Sequence, residues 1–254
     1  MSDERRRPLR NALVLIAGLL IAWELAYLAV GDVALRSPWQ TIAFTAKLVR
    51  TEMFWEHLSN TLRALAIALV IAVLAGLAIG FALGLKRLAA DVMEPMLVAL
   101  YSIPKVTFYP ILLLAFGIGV SAKVAFGAIH GVIPVALFTL AAVRGIKPIL
   151  LKTGRVLKLE PAAMVRTILF PAAVPEIFTG LRVGFSLTLI GTVLGEMFAA
   201  QHGLGYLLMN AIGLYNIDMI MSVTFLLVVF AAGVNGILLA VDRRLHFRAG
   251  PQTH

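Results

Sequence analysis

Apolar residues run in long blocks along this chain, and polar residues gather in the gaps between them. Blocks at 11–30, 61–85, 96–118, 122–143, 177–200 and 217–241 each approach or exceed the roughly 20 residues an α-helix needs to cross a bilayer. The second is the cleanest, with no charged residue from Ala64 to Leu85. The third holds Lys105 just after Pro104, and Pro110 follows, so the pattern predicts an irregular helix there. Backbone groups freed by proline go unpaired in lipid, which places Pro104, Pro110 and Pro134 inside a bundle. The fold class predicted is an all-α membrane protein of six transmembrane helices.

Composition agrees with this pattern. Of 254 residues, 61% are hydrophobic and 14% charged, against about a quarter charged in soluble domains. The mean hydropathy is +0.95. Six spans put both termini on one side of the membrane. That side collects Arg5, Arg6, Arg7, Arg10, Lys86, Arg87, Arg144, Lys147, the basic residues of 152–166, Arg243, Arg244 and Arg248. The other side holds Arg36, Lys47, Arg50 and Lys123. By the positive-inside rule the termini are cytoplasmic. The net charge of +9 is thus accounted for by topology, without a nucleic acid partner. The apolar run from Ala12 to Val30, broken only by Glu24, exceeds the core of a cleaved signal peptide and reads as an uncleaved signal-anchor helix. The chain has no cysteine, which excludes disulfides and thiolate chemistry. It contains no GxxxxGK[ST], HExxH or GxSxG motif and no clustered His, Asp or Glu at ligand spacing. No catalytic residue, metal site or bound cofactor is expected.

The longest cytoplasmic gap, 144–176, is basic. Pro148 and Pro161 frame two short helices, since proline is tolerated in a first turn. On the first of these, Ile149, Leu150, Thr153, Val156 and Leu157 share one face, and Lys152, Arg155 and Lys158 another. Periodicity leaves two readings, a helix resting on anionic lipid or a docking element for a cytoplasmic partner.

The stretch 143–208 resembles the permease subunit of bacterial ABC importers of the sulfonate, taurine and nitrate type. Those proteins carry a loop of pattern EAA, three residues, Gly, nine residues and I-x-L-P. Ile168-Leu169-Phe170-Pro171 matches its end, and "GLGYLL" at 203–208 is similar to the family's continuation. "SNTLRALAIALVIAVLAGLAIGFALGL" at 59–85 and "YSIPKVTFYPILLLAFGIG" at 101–119 resemble the family's second and third spans. The EAA positions are occupied by Lys152-Thr153-Gly154 and the glycine by Lys158, so the loop's frame is kept while its acidic residue has become basic.

The resemblance implies a type I importer permease in the bacterial inner membrane. Its loop would couple to a cytoplasmic ATPase through Lys152, Thr153, Gly154, Arg155, Lys158 and Glu160, with ATP and Mg held by that ATPase. It further implies a homodimer, two ATPase copies below, and a periplasmic or lipid-anchored binding protein above. The organisation expected is residues 1–58 as tail, first span and outer amphipathic segment, 59–245 as permease core, and 246–254 as a cytoplasmic tail. The alternative is a passive channel or secondary transporter. It is disfavoured because the chain shows no repeat between halves and no paired broken spans.

Ionisable residues within spans are costly, so each is a candidate for function. Arg63 and Glu196 both fall near the outer surface and are expected to pair, as a structural bridge or an outer gate. Arg182 lies about 21 Å below Glu196 along the same helix. Lys105 either snorkels to the cytoplasmic surface or meets Asp91 or Glu94, or else it lines a path for an anionic solute. Glu24 and His130 are single polar groups on apolar helices and receive no role. Gly76, Gly80 and Gly84 recur at four-residue spacing, which predicts close helix packing.

Overall fold

The computed structural model describes residues 3–248. The expected cytoplasmic tail 246–254 therefore lies, from residue 249 on, outside the described residues. Every regular element among them is helical, in the order α1 (Asp3–Val30), α2 (Pro38–Leu48), α3 (Glu52–Gly84), α4 (Arg87–Ser102), a 3-10 turn (Lys105–Phe108), α5 (Tyr109–Phe116), α6 (Val120–Arg144), α7 (Pro148–Val156), α8 (Pro161–Met164), a π-helical turn (Val165–Leu169), α9 (Phe170–Ala199), α10 (Leu204–Gly213) and α11 (Ile217–Arg248).

Five helices are long and apolar enough to cross a membrane, and a bent pair brings the number to six. That pair is the predicted third span. It is not one rod: α4 and the segment Lys105–Phe116 meet at 84°. Pro104 forces the break, because the residue before a proline is driven out of the helical region. Ile103 accordingly adopts φ −67°, ψ 134°. Gly117 and Gly119, at φ +72° and +141°, then turn the chain into α6.

The outer segment 31–58 is helical only in part as expected. α2 is opened by a capping box, in which Gln40 N–H donates to Ser37 Oγ and Ser37 N–H to Gln40 Oε1. It buries Thr41, Thr45 and Leu48 while leaving Trp39 exposed. Residues from Glu52 onward belong to α3, which starts well outside the charge-free stretch, with Thr51 Oγ1 accepting from Phe54 N–H.

The centre of the molecule is the packing of α3, α6 and α9, and small residues make it possible. Ala64, Ala68 and Ala72 are completely buried, and Gly76, Gly80 and Gly84 extend the same four-residue row down α3. A Cβ at Gly76 would stand 2.6 Å from Val135 Cβ, and one at Gly84 2.8 Å from Val143 Cβ. At Gly80 it would lie 2.7 Å from the carbonyl oxygen of Ala136 and run into Thr139. Between α6 and α9 the same device recurs: Gly131 faces Thr188 and Gly184 faces Val135. In lipid, where no hydrophobic force drives helices together, such close backbone contact supplies the attraction. α1 stands apart from this core. It is held at its outer end by Trp23 Nε1–H, which donates to Arg36 O at 2.9 Å, and by the Trp23 ring against Phe225.

Gly80→Ala should therefore push α3 off α6 at a cost of about 1–3 kcal/mol, read as a fall in the melting temperature of the detergent-purified protein. Gly18→Ala on α1, where an added Cβ meets nothing within 4 Å, should leave that temperature unchanged.

Candidate functional site: a buried ion pair outside, a locked loop inside

The helix directions bring two buried charges together at the outer end of the core. α6 descends from the outer surface and α9 ascends to it. Lys123, in the first turn of α6, therefore meets Glu196, in the last turn of α9. Lys123 Nζ lies 2.9 Å from Glu196 Oε1, with side-chain exposures of 2% and 0%. The carboxylate also accepts from Thr61 Oγ1–H of α3, 2.8 Å from Oε2, and from Gly205 N–H at 3.0 Å. Lys123 donates a second bond to His202 O at 3.1 Å. One carboxylate thus ties α3, α6, α9 and the start of α10 together.

The same contacts explain the local sequence 203–206. Three successive amides at the head of α10 are each matched to a side chain. Gly203 N–H donates to His57 Nδ1 at 3.0 Å, Leu204 N–H to Thr61 Oγ1 at 2.8 Å, and Gly205 N–H to Glu196. Negative charge at a helix N-terminus is favourable in itself. A side chain at Gly203, φ +123°, would collide with the Glu196 carboxylate, and a Cβ at Gly205 would stand 2.7 Å from Glu196 Cβ. His57 stacks on Tyr206 with centroids 5.8 Å apart. A cleft of about 190 Å³ opens beside the pair, lined by Asn60, Gly119, Lys123, Gln201 and His202 among others.

Glu196 thus has a different partner from the Arg63 expected. Arg63 points away because the buried face of α3 carries Thr61, Ala64, Leu65 and Ala68. Two residues beyond Thr61 is about 200° around the helix, and Arg63 is exposed with no partner among the described residues. Lys105 does not meet Asp91 or Glu94. Those carboxylates are taken by Arg144, at 2.7 and 2.6 Å. Lys105 is buried, donates to Tyr101 O at 2.9 Å, and lies 5.1 Å from the Tyr101 ring centroid. Arg182 is bound on the inner side to Asp242 of α11 at 3.2 Å, and Thr179 Oγ1–H donates to the same carboxylate. His130 Nδ1 is within 2.8 Å of Phe126 O. Outside the spans, Arg36 is held above its usual guanidinium range, first by its hydrogen bond to Asp218.

On the cytoplasmic side, Pro148 and Pro161 start two short helices as the sequence predicts. Lys152, Thr153, Arg155, Lys158 and Glu160 are exposed, while Gly154 is buried. An added Cβ at Gly154 would strike Met164, standing 2.5 Å from its Cε. α7 ends in a Schellman motif: Leu159 N–H donates to Gly154 O and Lys158 N–H to Arg155 O, both at 3.0 Å. Lys158 stands at its left-handed position with φ +48°, where glycine is the unstrained residue. Ile149, Val156 and Leu157 remain exposed to 63%, 80% and 63%. This chain leaves both faces of α7 largely uncovered.

Sequence reading missed Thr61, Lys123, His57 and His202. Lys123 counted only as an outer charge. The signal for it was positional: it sits near the outer start of a descending span as Glu196 sits near the outer end of an ascending one.

Breaking the buried pair on one side should cost about 3–5 kcal/mol. Lys123→Met and Glu196→Gln should each lower the melting temperature strongly, and the double variant should cost less than their sum. Arg63→Ala should be near neutral.

The fold is that of known transporter subunits. A structure of the MetNI methionine ABC transporter in an inward-facing conformation aligns with TM-score 0.63 at 21% identity, covering 77% of this chain and 99% of that one. An amino acid ABC transporter with histidines aligns equally well, with TM-score 0.63 at 20% identity over 79% and 98%. Among curated relatives, the taurine transport system permease protein TauC of Escherichia coli (strain K12) is 29% identical over 75% of this chain and 70% of its own length. The nitrate import permease protein NrtB of Synechocystis sp. is 29% identical over 92% and 86%. Residues 68–249, most of the chain, match the family described as binding-protein-dependent transport system inner membrane component, and the chain belongs to that family.

Proposed function

We propose that this inner-membrane permease subunit forms the path for a small anionic solute and is driven by an ATPase seated on α7. The observation that carries the reading is the uncovered α7. It presents Lys152, Arg155 and Lys158 beside Ile149, Val156 and Leu157, and a Schellman lock fixes its end. A helix with both a cationic and an apolar face exposed to the cytoplasm supports docking into a cleft of a protein partner. In this reading ATP and Mg sit on that partner, two copies of the chain face one another, each above its own ATPase, and a periplasmic or lipid-anchored binding protein delivers the solute outside.

Relatives named for taurine, nitrate and aliphatic sulfonates support a solute bearing an oxyanion. Within this chain, Lys105 supplies the residue-level support. Its ammonium is buried beside Tyr101 with one carbonyl as its hydrogen-bonding partner, and it has three donors to give. It lies at the break of the bent pair, where backbone is irregular and helices part. This chain leaves the break exposed at Pro104, Val106 and Pro110, against the bundle interior expected for these prolines. Such interruptions in membrane helices occur where protein or a polar cavity covers them, which supports a facing partner or a path here. Arg182 and Glu196, each already paired, act in this reading as struts between helices rather than as contacts to the solute.

Replacing Lys152, Arg155 and Lys158 with glutamate should abolish co-purification of the ATPase subunit while permease levels stay near normal. Retained ATPase binding and uptake would reduce α7 to a lipid-facing helix. Lys105→Met should cut uptake of a sulfonate or nitrate at least tenfold with ATPase docking intact, and Lys105→Arg should keep part of the activity. Normal uptake by the Met variant would remove Lys105 from the path.

A further inference from the structure

At the inner end of the core a cleft of about 200 Å³ lies between the last turn of α3, the end of α6 and the π-helical turn that leads into α9. Its walls are Phe81, Leu85, Val143, Ile146, Val165, Leu169, Phe170 and Ala173. Every one of these residues is apolar. The cleft is thus an oily slot at the cytoplasmic level, opened by the coupling loop as it folds back onto the membrane helices.

The chain next to these walls has the opposite character. Lys86 follows Leu85, Lys147 follows Ile146, and Arg166 follows Val165, so each of the three segments that meet at the cleft carries a cation next to a wall residue. All three are exposed, and none of their side chains makes a hydrogen bond or ion pair with another described residue. The acids of α4 do not neutralise them, because Asp91 and Glu94 are both engaged by Arg144. The remaining acids close by along the chain are Glu160, five residues before Val165, and Glu176, one turn past Ala173, so the three cations still exceed them.

An apolar slot whose wall segments each carry an exposed cation fits an amphiphile with an acidic head and a hydrocarbon tail. We infer that this cleft binds an anionic glycerophospholipid of the cytoplasmic leaflet, its acyl chain between Phe81, Val143 and Leu169 and its phosphate over Lys86, Lys147 and Arg166. Basic pockets between membrane helices on this side are suited to acidic headgroups, and a phosphodiester also gains from the surface potential of the leaflet. Position gives the lipid a role beyond anchoring. It packs between the π-helical turn of the coupling loop and the helices the loop must move, so it fills the joint rather than the outer wall of the protein.

The test uses the purified full-length chain in mild detergent, offered equal amounts of phosphatidylglycerol and phosphatidylcholine with matched acyl chains, with bound lipid read by native mass spectrometry. Phosphatidylglycerol should be retained in preference. Lys86→Gln, Lys147→Gln and Arg166→Gln together should lower that preference at least fivefold. Val165→Trp, which fills the slot from an exposed wall position, should reduce retention of both lipids. Lys152→Gln, Arg155→Gln and Lys158→Gln, an equal loss of charge on α7 away from the cleft, should leave the preference intact. The inference fails if the α7 variant loses as much preference as the variant at Lys86, Lys147 and Arg166, if Val165→Trp retains lipid as well as the parent, or if the parent shows no preference.

Discussion

One fully buried carboxylate organises the outer half of this protein. An ionised Glu196 is tolerable in the core only because it is fully matched. It has an ammonium on one oxygen, and a hydroxyl and a backbone amide on the other. Each partner comes from a different helix, so the carboxylate's need for partners becomes a constraint on where α3, α6 and α10 can lie relative to α9. A buried pair of this kind is weak as a source of net stability, since desolvation takes back most of the attraction. Its strength is specificity. Any arrangement that separates the four elements leaves a naked charge in a low-dielectric interior, and such arrangements are excluded by several kcal/mol each.

The inner half is organised by different physics. Arg144 gathers the α4 carboxylates and Arg182 reaches Asp242, but these contacts are partly exposed and individually modest. What fixes the inner ends is backbone proximity along the row from Ala64 to Gly84. Such contacts do not tolerate partial separation, since dispersion attraction falls off within an ångström. α9 joins the two regimes. Its 30 residues amount to about 45 Å of continuous helix, with the cytoplasmic loop at its foot and Glu196 in its last turn. Under the proposed reading, displacement of the loop by an ATPase reaches the outer ion pair through this single element.

The spans and their sides were legible in the sequence because hydropathy and the placement of lysine and arginine each average over many residues. The side-chain pairs were not, because a pair depends on rotational phase as well as depth. Arg63 has the right depth for Glu196 and the wrong phase. Thr61, two residues earlier, has both, but a threonine in an apolar run gives no charge signal. The break at Pro104 was legible as irregularity, though its 84° bend depends on how α4 and α5 pack on α6. The tight spacing of Gly76, Gly80 and Gly84 was readable. Its continuation upward as Ala64, Ala68 and Ala72 was hidden by the commonness of alanine in membrane helices. The glycines at 203 and 205 appeared as part of a resembling motif, and their physical cause, the approach of the Glu196 side chain, needed the structure.

The cytoplasmic loop shows how a frame outlasts the residues that mark it. The resembling family has glycine where this chain has Lys158, and the backbone still takes the left-handed turn that glycine favours, at φ +48°. For a lysine that conformation costs about 1–2 kcal/mol, and two hydrogen bonds of the Schellman motif hold it in place. At the preceding marked positions the small residue that survives is the one that must be small: Gly154 lies under Met164 and Ile168, whereas Lys152 and Thr153 face solvent. The folded core of the loop constrains position 154 alone among those three, and constrains the turn through its backbone. The outward positions are then free to differ in charge, and under the proposed reading a base in place of an acid there alters what the loop can dock against without altering how it folds.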